Sequence, residues 1–220
     1  MKTSVLLLLI LINVTNTFAQ DKTKSDKEAY VKTITQRADK IVAVLGITNE
    51  SQKEKVSNII RDQYSDLNDI YTIRDAEVKE IKEKYLDKAE RETVLTKKNT
   101  EVMENLAKLH KKYLKKLSSN LSEKQVEMVK DGMTYNVLPI TYKAYQEEIL
   151  TLSEDQKKQI LTWLTEAREF AMDAESSDKK HAWFGKYKGR INNYLSAAGY
   201  DLKKEGIEWE KRRKAASQAN

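Results

Sequence analysis

The segment from Asp178 to Tyr200, DKKHAWFGKYKGRINNYLSAAGY, is the part of the chain richest in side chains that could bind a ligand. Its spacing predicts a single helix that carries an imidazole, aromatic rings, amides and cations together. An aromatic ring can stack on the C–H face of a sugar, while basic and amide groups at its edge bind hydroxyls or carboxylates. The residue types therefore indicate a carbohydrate ligand, an acidic one in particular. The candidate ligand-binding residues of this segment are His181, Trp183, Lys186, Tyr187, Arg190 and Asn193.

Two features of this helix leave its role open. Aromatic and apolar residues recur along it at helical spacing from Trp183 to Tyr194, a pattern typical of a buried core stripe and also of an exposed binding platform. Gly185 and Gly189 each cost a helix about 1 kcal/mol relative to Ala, so each needs a reason. The sequence favours close packing against another helix, and room for a ligand against the backbone is the alternative.

Two other segments add polar candidates. We expect a cleft in the C-terminal half of the chain in which all three segments meet. There the aspartates would accept hydrogen bonds from sugar hydroxyls, the basic residues would hold an acidic or hydroxyl edge, and Trp183 or Tyr187 would stack on the ring. The added ligand-binding candidates are Lys130, Asp131 and Tyr135 in one segment and Arg168 and Asp173 in the other.

The composition excludes several kinds of chemistry. Without cysteine the chain has no disulfide, thiolate zinc site, thiol nucleophile or iron–sulfur cluster. Its two histidines, His110 and His181, lack metal-binding helical spacing, so we expect no metal and no cofactor. His110 falls on the inward stripe of its helix and is assigned to the core. The acidic residues near Arg168 are interpreted as partners in ion pairs along one helix.

The N-terminus has the pattern of an export signal. After Lys2 comes a run of ten residues, Val5 to Val14, that is apolar except for Asn13, and then a small-x-small site at Thr17–Ala19. We expect cleavage near Ala19 and a mature protein in the periplasm or outside the cell, with no transmembrane segment after cleavage. The formal net charge of +6 is too small an excess to define a nucleic-acid binder, so no nucleic-acid partner is expected.

One proline and six glycines in 220 residues leave too few turns for an all-β protein. We predict an all-α protein, with a long N-terminal helical hairpin and a C-terminal helical bundle. Ser122 with Gln125 and Ser153 with Gln156 predict capping boxes, and Gly199 predicts a helix end. The predicted segments are a signal peptide at 1–19, a disordered leader at 20–25, the hairpin at 26–118, the bundle at 119–210 and a disordered basic tail at 211–220.

Several short motifs resemble the domain of unknown function 3826 family, with a similarity that extends over about residues 25–210. This resemblance implies an exported bacterial protein of a family described as sugar-binding and found near genes for glycan degradation. It implies no catalytic mechanism. The motifs are Lys130–Tyr135, Glu166–Glu169, Ala171–Asp173, Lys180–His181, Phe184–Leu195 and Gly199–Asp201.

A weaker similarity involves the two predicted capping boxes. Leu121-Ser122-x-x-Gln125 and Leu152-Ser153-x-x-Gln156 resemble the Leu-Thr-x-x-Gln repeats of the Spy/CpxP periplasmic stress proteins, with Ser in place of Thr. The residues and the two resemblances leave three functions open. The leading one is non-catalytic binding of glycan fragments during polysaccharide utilisation, and the first alternative is a Spy-like chaperone. The second alternative is a glycan-degrading enzyme that uses His181 or Tyr187 with a nearby carboxylate. The sequence does not determine the oligomeric state.

Overall fold

A computed structural model describes residues 25–218, and all regular secondary structure in that part of the chain is helical. The prediction of an all-α protein is confirmed. No helix between residues 25 and 218 is both long and apolar enough to cross a membrane. The predicted signal peptide, and the leader before Ser25, lie outside the described residues. The helices are α1 (25–43), α2 (Glu50–Lys84), α3 (Lys88–Ser118), α4 (Glu123–Met133), α5 (Val137–Glu148), α6 (Glu154–Met172), α7 (Ser177–Ala197) and α8 (Leu202–Gln218).

The chain divides into two compact units between Ser65 and Asp66. The described part of the first unit comprises α1 and the first half of α2. Tyr30 donates a hydrogen bond from its hydroxyl to the carbonyl oxygen of Tyr64 at 3.0 Å, and the Ser57 hydroxyl donates to Asp39 Oδ1 at 2.6 Å. The predicted division into a hairpin and a bundle at residues 118–119 stays a prediction about domains.

The second unit contains the rest of α2 and the helices α3 to α8. Helix α6 packs most extensively against α7 and also contacts α4 and α5, while α8 contacts α5 and α7. A second, smaller cluster joins α2 to α3, where Leu67 packs with Val102 and Leu106. The main core cluster contains Leu138, Tyr145, Ile149, Leu152, Ile160, Leu164, Ala167, Ala171, Phe184, Tyr187, Ile191 and Leu195.

Local sequence signals set the ends of several helices. The side chains of Ser122 and Ser153 accept hydrogen bonds from the backbone N–H of Gln125 and Gln156, and each glutamine side chain accepts one from the backbone N–H of its serine. Both predicted capping boxes are therefore confirmed, since this exchange satisfies donors that the first helical turn leaves free. Gly199 follows α7 with a φ of +94°, a conformation that glycine adopts without strain.

Two further features of the C-terminal half are the start of α5 and the end of α8. Tyr135 and Asn136 form a tight turn with φ values of 59° and 56°, and α5 then begins directly at Val137. Pro139 lies in the first turn of α5, where no intrahelical donor is lost. Helix α8 continues through Gln218, whereas the sequence predicts a disordered tail from residue 211. The pair Lys214–Glu210 on its surface is at i,i+4 spacing, which supports helix.

The prediction of close helix packing at Gly185 and Gly189 is wrong. Both glycines are exposed on α7, and a Cβ added at either would have no other atom within 4 Å beyond the helix's own neighbouring backbone. No neighbouring helix therefore packs closely against α7 at these two glycines. It leaves two exposed stretches of helix backbone on α7.

We expect Gly185→Ala and Gly189→Ala each to raise the free energy of unfolding by about 0.5–1 kcal/mol, because Ala loses less chain entropy in a helix. Urea denaturation followed by circular dichroism measures the change. Gly199→Ala is the matched control and should lower stability, since its φ of +94° disfavours a side chain. A loss of stability in both α7 variants would contradict the open surroundings of these glycines.

Candidate functional site

The second unit contains a cavity of about 490 Å³, here called the α3/α6 cavity. Its wall is formed by the second half of α2, the middle of α3, the end of α6, the connection to α7 and the start of α7. Ligand pockets in proteins typically measure about 300–1,000 Å³, so this cavity could hold a small ligand. Residues that give it its chemistry are Tyr71, Arg74, His110, Phe170, Asp173 and Trp183.

One wall of the cavity is an aromatic pair. The rings of Phe170 and Trp183 stack with their centroids 4.5 Å apart and an angle of 16° between their planes. Phe170 is 42% exposed although it belongs to a helix with a well-packed inner face. The ring of the buried Tyr187 lies 6.5 Å from that of Phe170. This wall gives a ligand a flat apolar surface.

His110 lies between two carboxylates at the cavity. Its Nδ1 donates to Asp173 Oδ2 at 2.7 Å, and its Nε2 lies 3.4 Å from Glu169 Oε2. The hydrogen bond to Asp173 and the one to Glu169 together raise the pKa of His110 to about 9. The imidazole is therefore protonated at neutral pH, and it fixes the positions of both acidic side chains.

Glu169 connects His110 to a buried ion network on α4 and α6. The side chain of Arg168 is only 3% exposed; its Nη1 donates to Asp131 Oδ1 at 2.7 Å and its Nη2 to Glu127. Lys130 Nζ donates to Glu169 Oε1 at 3.2 Å. Burial disfavours the charged form of Glu169, but the hydrogen bond from His110 and the nearby cations outweigh it and lower its pKa to about 2. Two of the partners of Arg168 are on α4, whereas the sequence was interpreted as pairing it with acidic residues along its own helix.

The other side of Asp173 is held by α2. The hydroxyl of Tyr71 donates to the backbone carbonyl of Asp173 at 2.6 Å. Burial and the charges of Glu175 and Asp173 raise the pKa of Tyr71 to about 12. Arg74 lies 4.6 Å above the Tyr71 ring and pairs with Glu175. Oδ1 of Asp173 is buried and has no hydrogen-bond partner among residues 25–218.

Lys180 fixes the end of α6 next to this site. Its Nζ donates to the backbone carbonyls of Ala171 and Met172 at 2.8 Å each, and the residue is buried. The last carbonyls of a helix have no partner in the helix itself, and a cation satisfies both their hydrogen bonds and their partial negative charge. The lysine therefore holds in place the helix end that presents Asp173.

The sequence-predicted residues of α7 follow the aromatic wall outward from the cavity. Lys186 Nζ lies 5.1 Å from the centroid of the Trp183 ring. The guanidinium of Arg190 lies 4.8 Å from the Tyr187 ring and 5.8 Å from the Trp163 ring. These contacts place the predicted aromatic and basic residues of α7 on one continuous surface with Phe170.

Tyr135 and His181 lie elsewhere. Their rings stack 5.4 Å apart at 11°, and both residues are exposed. His181 and Trp183 are two residues apart on α7 and so point in directions about 160° apart around the helix. The buried ion network contains Lys130, Asp131 and Arg168. Asn193 is exposed on α7. The structure therefore divides the predicted residues among these places, and only Asp173 and Trp183 line the α3/α6 cavity itself.

Sequence reasoning missed several residues of the cavity wall. His110 was assigned to the core, and Phe170, Tyr71 and Arg74 were not singled out. One signal was available: Glu169 and Asp173 are at i,i+4 spacing and so lie on the same side of the end of α6, where they can bind one partly buried imidazole between them. Among the described residues no group of three or more acidic or histidine side chains is arranged to hold a metal ion.

We expect Arg168→Met to lower the free energy of unfolding by about 3–5 kcal/mol, because it leaves the largely buried carboxylate of Asp131 without its cation. Urea denaturation measures the loss. Lys211→Met is the control: its pair with Glu208 is exposed to solvent, so the stability should be nearly unchanged. A similar small change in both variants would contradict a structural role for Arg168.

The raised pKa of His110 predicts a pH dependence of stability. Because the folded-state pKa is about 9 and the ordinary value is 6.5, the stabilisation is complete below about pH 6.5 and is lost as the pH rises through about 9. The difference in unfolding free energy between the wild type and His110→Gln should therefore shrink between pH 6 and pH 9.5. The variant also assigns the His110 resonance in an NMR titration, since the chain has only two histidines. Titration of His110 near pH 6.5 would contradict the bridged arrangement.

Comparison with known proteins identifies a family but no activity. No curated protein matches the sequence. The family described as "Protein of unknown function (DUF3826)" matches residues 31–215, which is most of the chain and includes every residue of the α3/α6 cavity described above. The resemblance found in the sequence motifs is confirmed by this match, and the chain belongs to the DUF3826 family.

Proposed function

We propose that this protein binds glycan fragments without cleaving them, outside the cytoplasm and in connection with polysaccharide utilisation, and that the α3/α6 cavity is the binding site. The observation that carries the proposal is the exposed Phe170 ring, stacked on Trp183 in the wall of a cavity that also holds charged hydrogen-bonding groups. A sugar has the same two-sided character, with apolar C–H faces and a hydroxyl edge.

The polar groups of the cavity suit a hydroxylated ligand. Asp173 and Glu169 both line the cavity, and carboxylate groups accept hydrogen bonds from hydroxyls. Arg74, Glu175 and Lys179 also line the cavity. Small ligands are usually oriented by a few such groups on a mainly apolar wall, and this arrangement supports a sugar fragment over a wholly apolar ligand.

The protonation states support binding over catalysis. A general acid or base works best when its pKa lies near the working pH. In this cavity the pKa of His110 is raised to about 9, that of Glu169 is lowered to about 2 and that of Tyr71 is raised to about 12. None of these three groups is ready to exchange a proton at neutral pH. His110 is hydrogen-bonded to Asp173 and Tyr71 to the backbone carbonyl of Asp173, so these contacts serve to position side chains around the cavity.

A thermal-shift screen of the purified protein against acidic and neutral glycans tests the proposal. A ligand that binds only the folded protein adds about 2.7 kcal/mol at a hundredfold excess over Kd, which raises the melting temperature. We expect a saturable shift with one class of sugar, and no product release when that sugar is incubated with the protein. Release of shortened products would replace binding by an enzymatic function.

Phe170→Ala should weaken glycan binding by at least about tenfold, because it removes the exposed stacking surface. Leu161→Ala is the matched control, since Leu161 is also an exposed apolar residue on α6 but does not line the cavity. Isothermal titration calorimetry gives both affinities, and circular dichroism verifies that helicity is unchanged. Equal affinity in the two variants would remove the cavity as the binding site.

A further inference from the structure

Three cations form a row along one face of α7. Lys179, Lys186 and Arg190 are at positions i, i+7 and i+11, which share a face of an α-helix. At 1.5 Å per residue the row extends for about 16 Å along the helix axis. Lys179 lines the α3/α6 cavity, so the row begins at the cavity and leads away from it. We call these three residues the α7 cation row.

Aromatic rings support the row from below. Lys186 lies over Trp183, and Arg190 lies over both Tyr187 and Trp163. A cation placed over an aromatic face is attracted to the ring and loses some of its freedom before a ligand arrives. Trp183 also stacks on Phe170, so the ring system of the cavity wall continues beneath the cation row. The surface therefore offers a chain-like ligand alternating apolar faces and positive charges.

The unpaired charge on this face is positive. The carboxylates beside the row have cationic partners: Glu175 pairs with Arg74, Asp173 with His110, and Glu166 with Arg190 at 3.6 Å. Lys179 and Lys186, in contrast, have no ion-pair partner among residues 25–218. A ligand that carries anions can supply one.

We propose that the natural ligand is an anionic sugar chain, with carboxylate or sulfate groups, that places one end in the α3/α6 cavity and runs along the α7 cation row. This inference rests on the proposed function and adds to it the charge and the length of the ligand. The row is longer than a single sugar ring, so one monosaccharide in the cavity leaves Lys186 and Arg190 unused. Glu166, beside Arg190, can accept a hydrogen bond from a hydroxyl of such a chain between its charged groups.

The experiment compares polygalacturonate oligosaccharides with the same oligosaccharides after methyl esterification, which removes the charge and keeps the backbone. By isothermal titration calorimetry we expect the charged chain to bind at least about tenfold more tightly, with an affinity that falls as salt rises. Dextran sulfate and dextran form a second matched pair, which shows whether sulfate replaces carboxylate. Binding of either charged chain over its neutral counterpart supports the proposal and identifies the anion.

Three variants locate the charged chain. Lys186→Met and Arg190→Met should each weaken binding of the charged chain by about three- to tenfold, and by clearly more than they weaken binding of the neutral chain. Lys188→Met is the control, because Lys188 points about 160° away from Lys186 on the same helix and lines a separate cavity with α5. Circular dichroism verifies that all three variants keep their helicity.

The outcomes separate this inference from the proposed function. If neutral and charged chains bind equally, or if the cation-row variants bind as the wild type does while Phe170→Ala still loses binding, the inference fails and the cavity remains a glycan site. If no glycan binds, the proposed function fails as well. A single-stranded oligonucleotide that binds with the same dependence on Lys186 and Arg190 would overturn the assignment to a sugar chain.

Discussion

The burial of Arg168 is the constraint from which the geometry of the candidate site follows. A guanidinium with 3% of its side chain exposed is stable only when carboxylates surround it, because removal from water is costly for an ion. Asp131 and Glu127 on α4 meet that need and join α4 to α6. The same network includes Glu169, which reaches His110 on α3, and His110 in turn binds Asp173. One buried charge thus connects three helices in a fixed order.

This series of contacts explains the divided placement of the polar motifs in the C-terminal half. On residue type alone, four polar residues are predicted together as sugar-binding candidates: Lys130, Asp131, Arg168 and Asp173. In the structure, three of them fix the helices, and Asp173 faces the cavity at the end of the series. Polar residues can be dense in a sequence either because they meet a ligand or because they neutralise each other, and the difference depends on contacts between helices.

The parts of the fold that could be predicted from the sequence are those set by local interactions. A capping box at Ser122 or Ser153 involves residues three apart, so its hydrogen bonds can be read from the chain directly. The partners of His110 are 59 and 63 residues away, and helical periodicity shows only that the imidazole faces inward. Gly185 illustrates the same limit. Its cost to a helix is evident from sequence, whereas the open space beside it depends on where the other helices lie.

The aromatic surface of α6 and α7 remains exposed beside the side chains that the ion series holds in place. Burial of apolar surface stabilises a protein by about 25 cal/mol for each Å² removed from water. Phe170 is 42% exposed, so part of this stabilisation is missing in the folded protein. Elsewhere α6 buries Ile160, Leu164 and Ala167 completely, so the exposure of Phe170 is not a general property of the helix. The ion series holds the neighbouring Glu169 and Asp173 in place, and Phe170 stacks on Trp183. A ligand that covers this ring would therefore bury apolar surface at no further cost of ordering the side chains around it. This is the advantage of preorganisation.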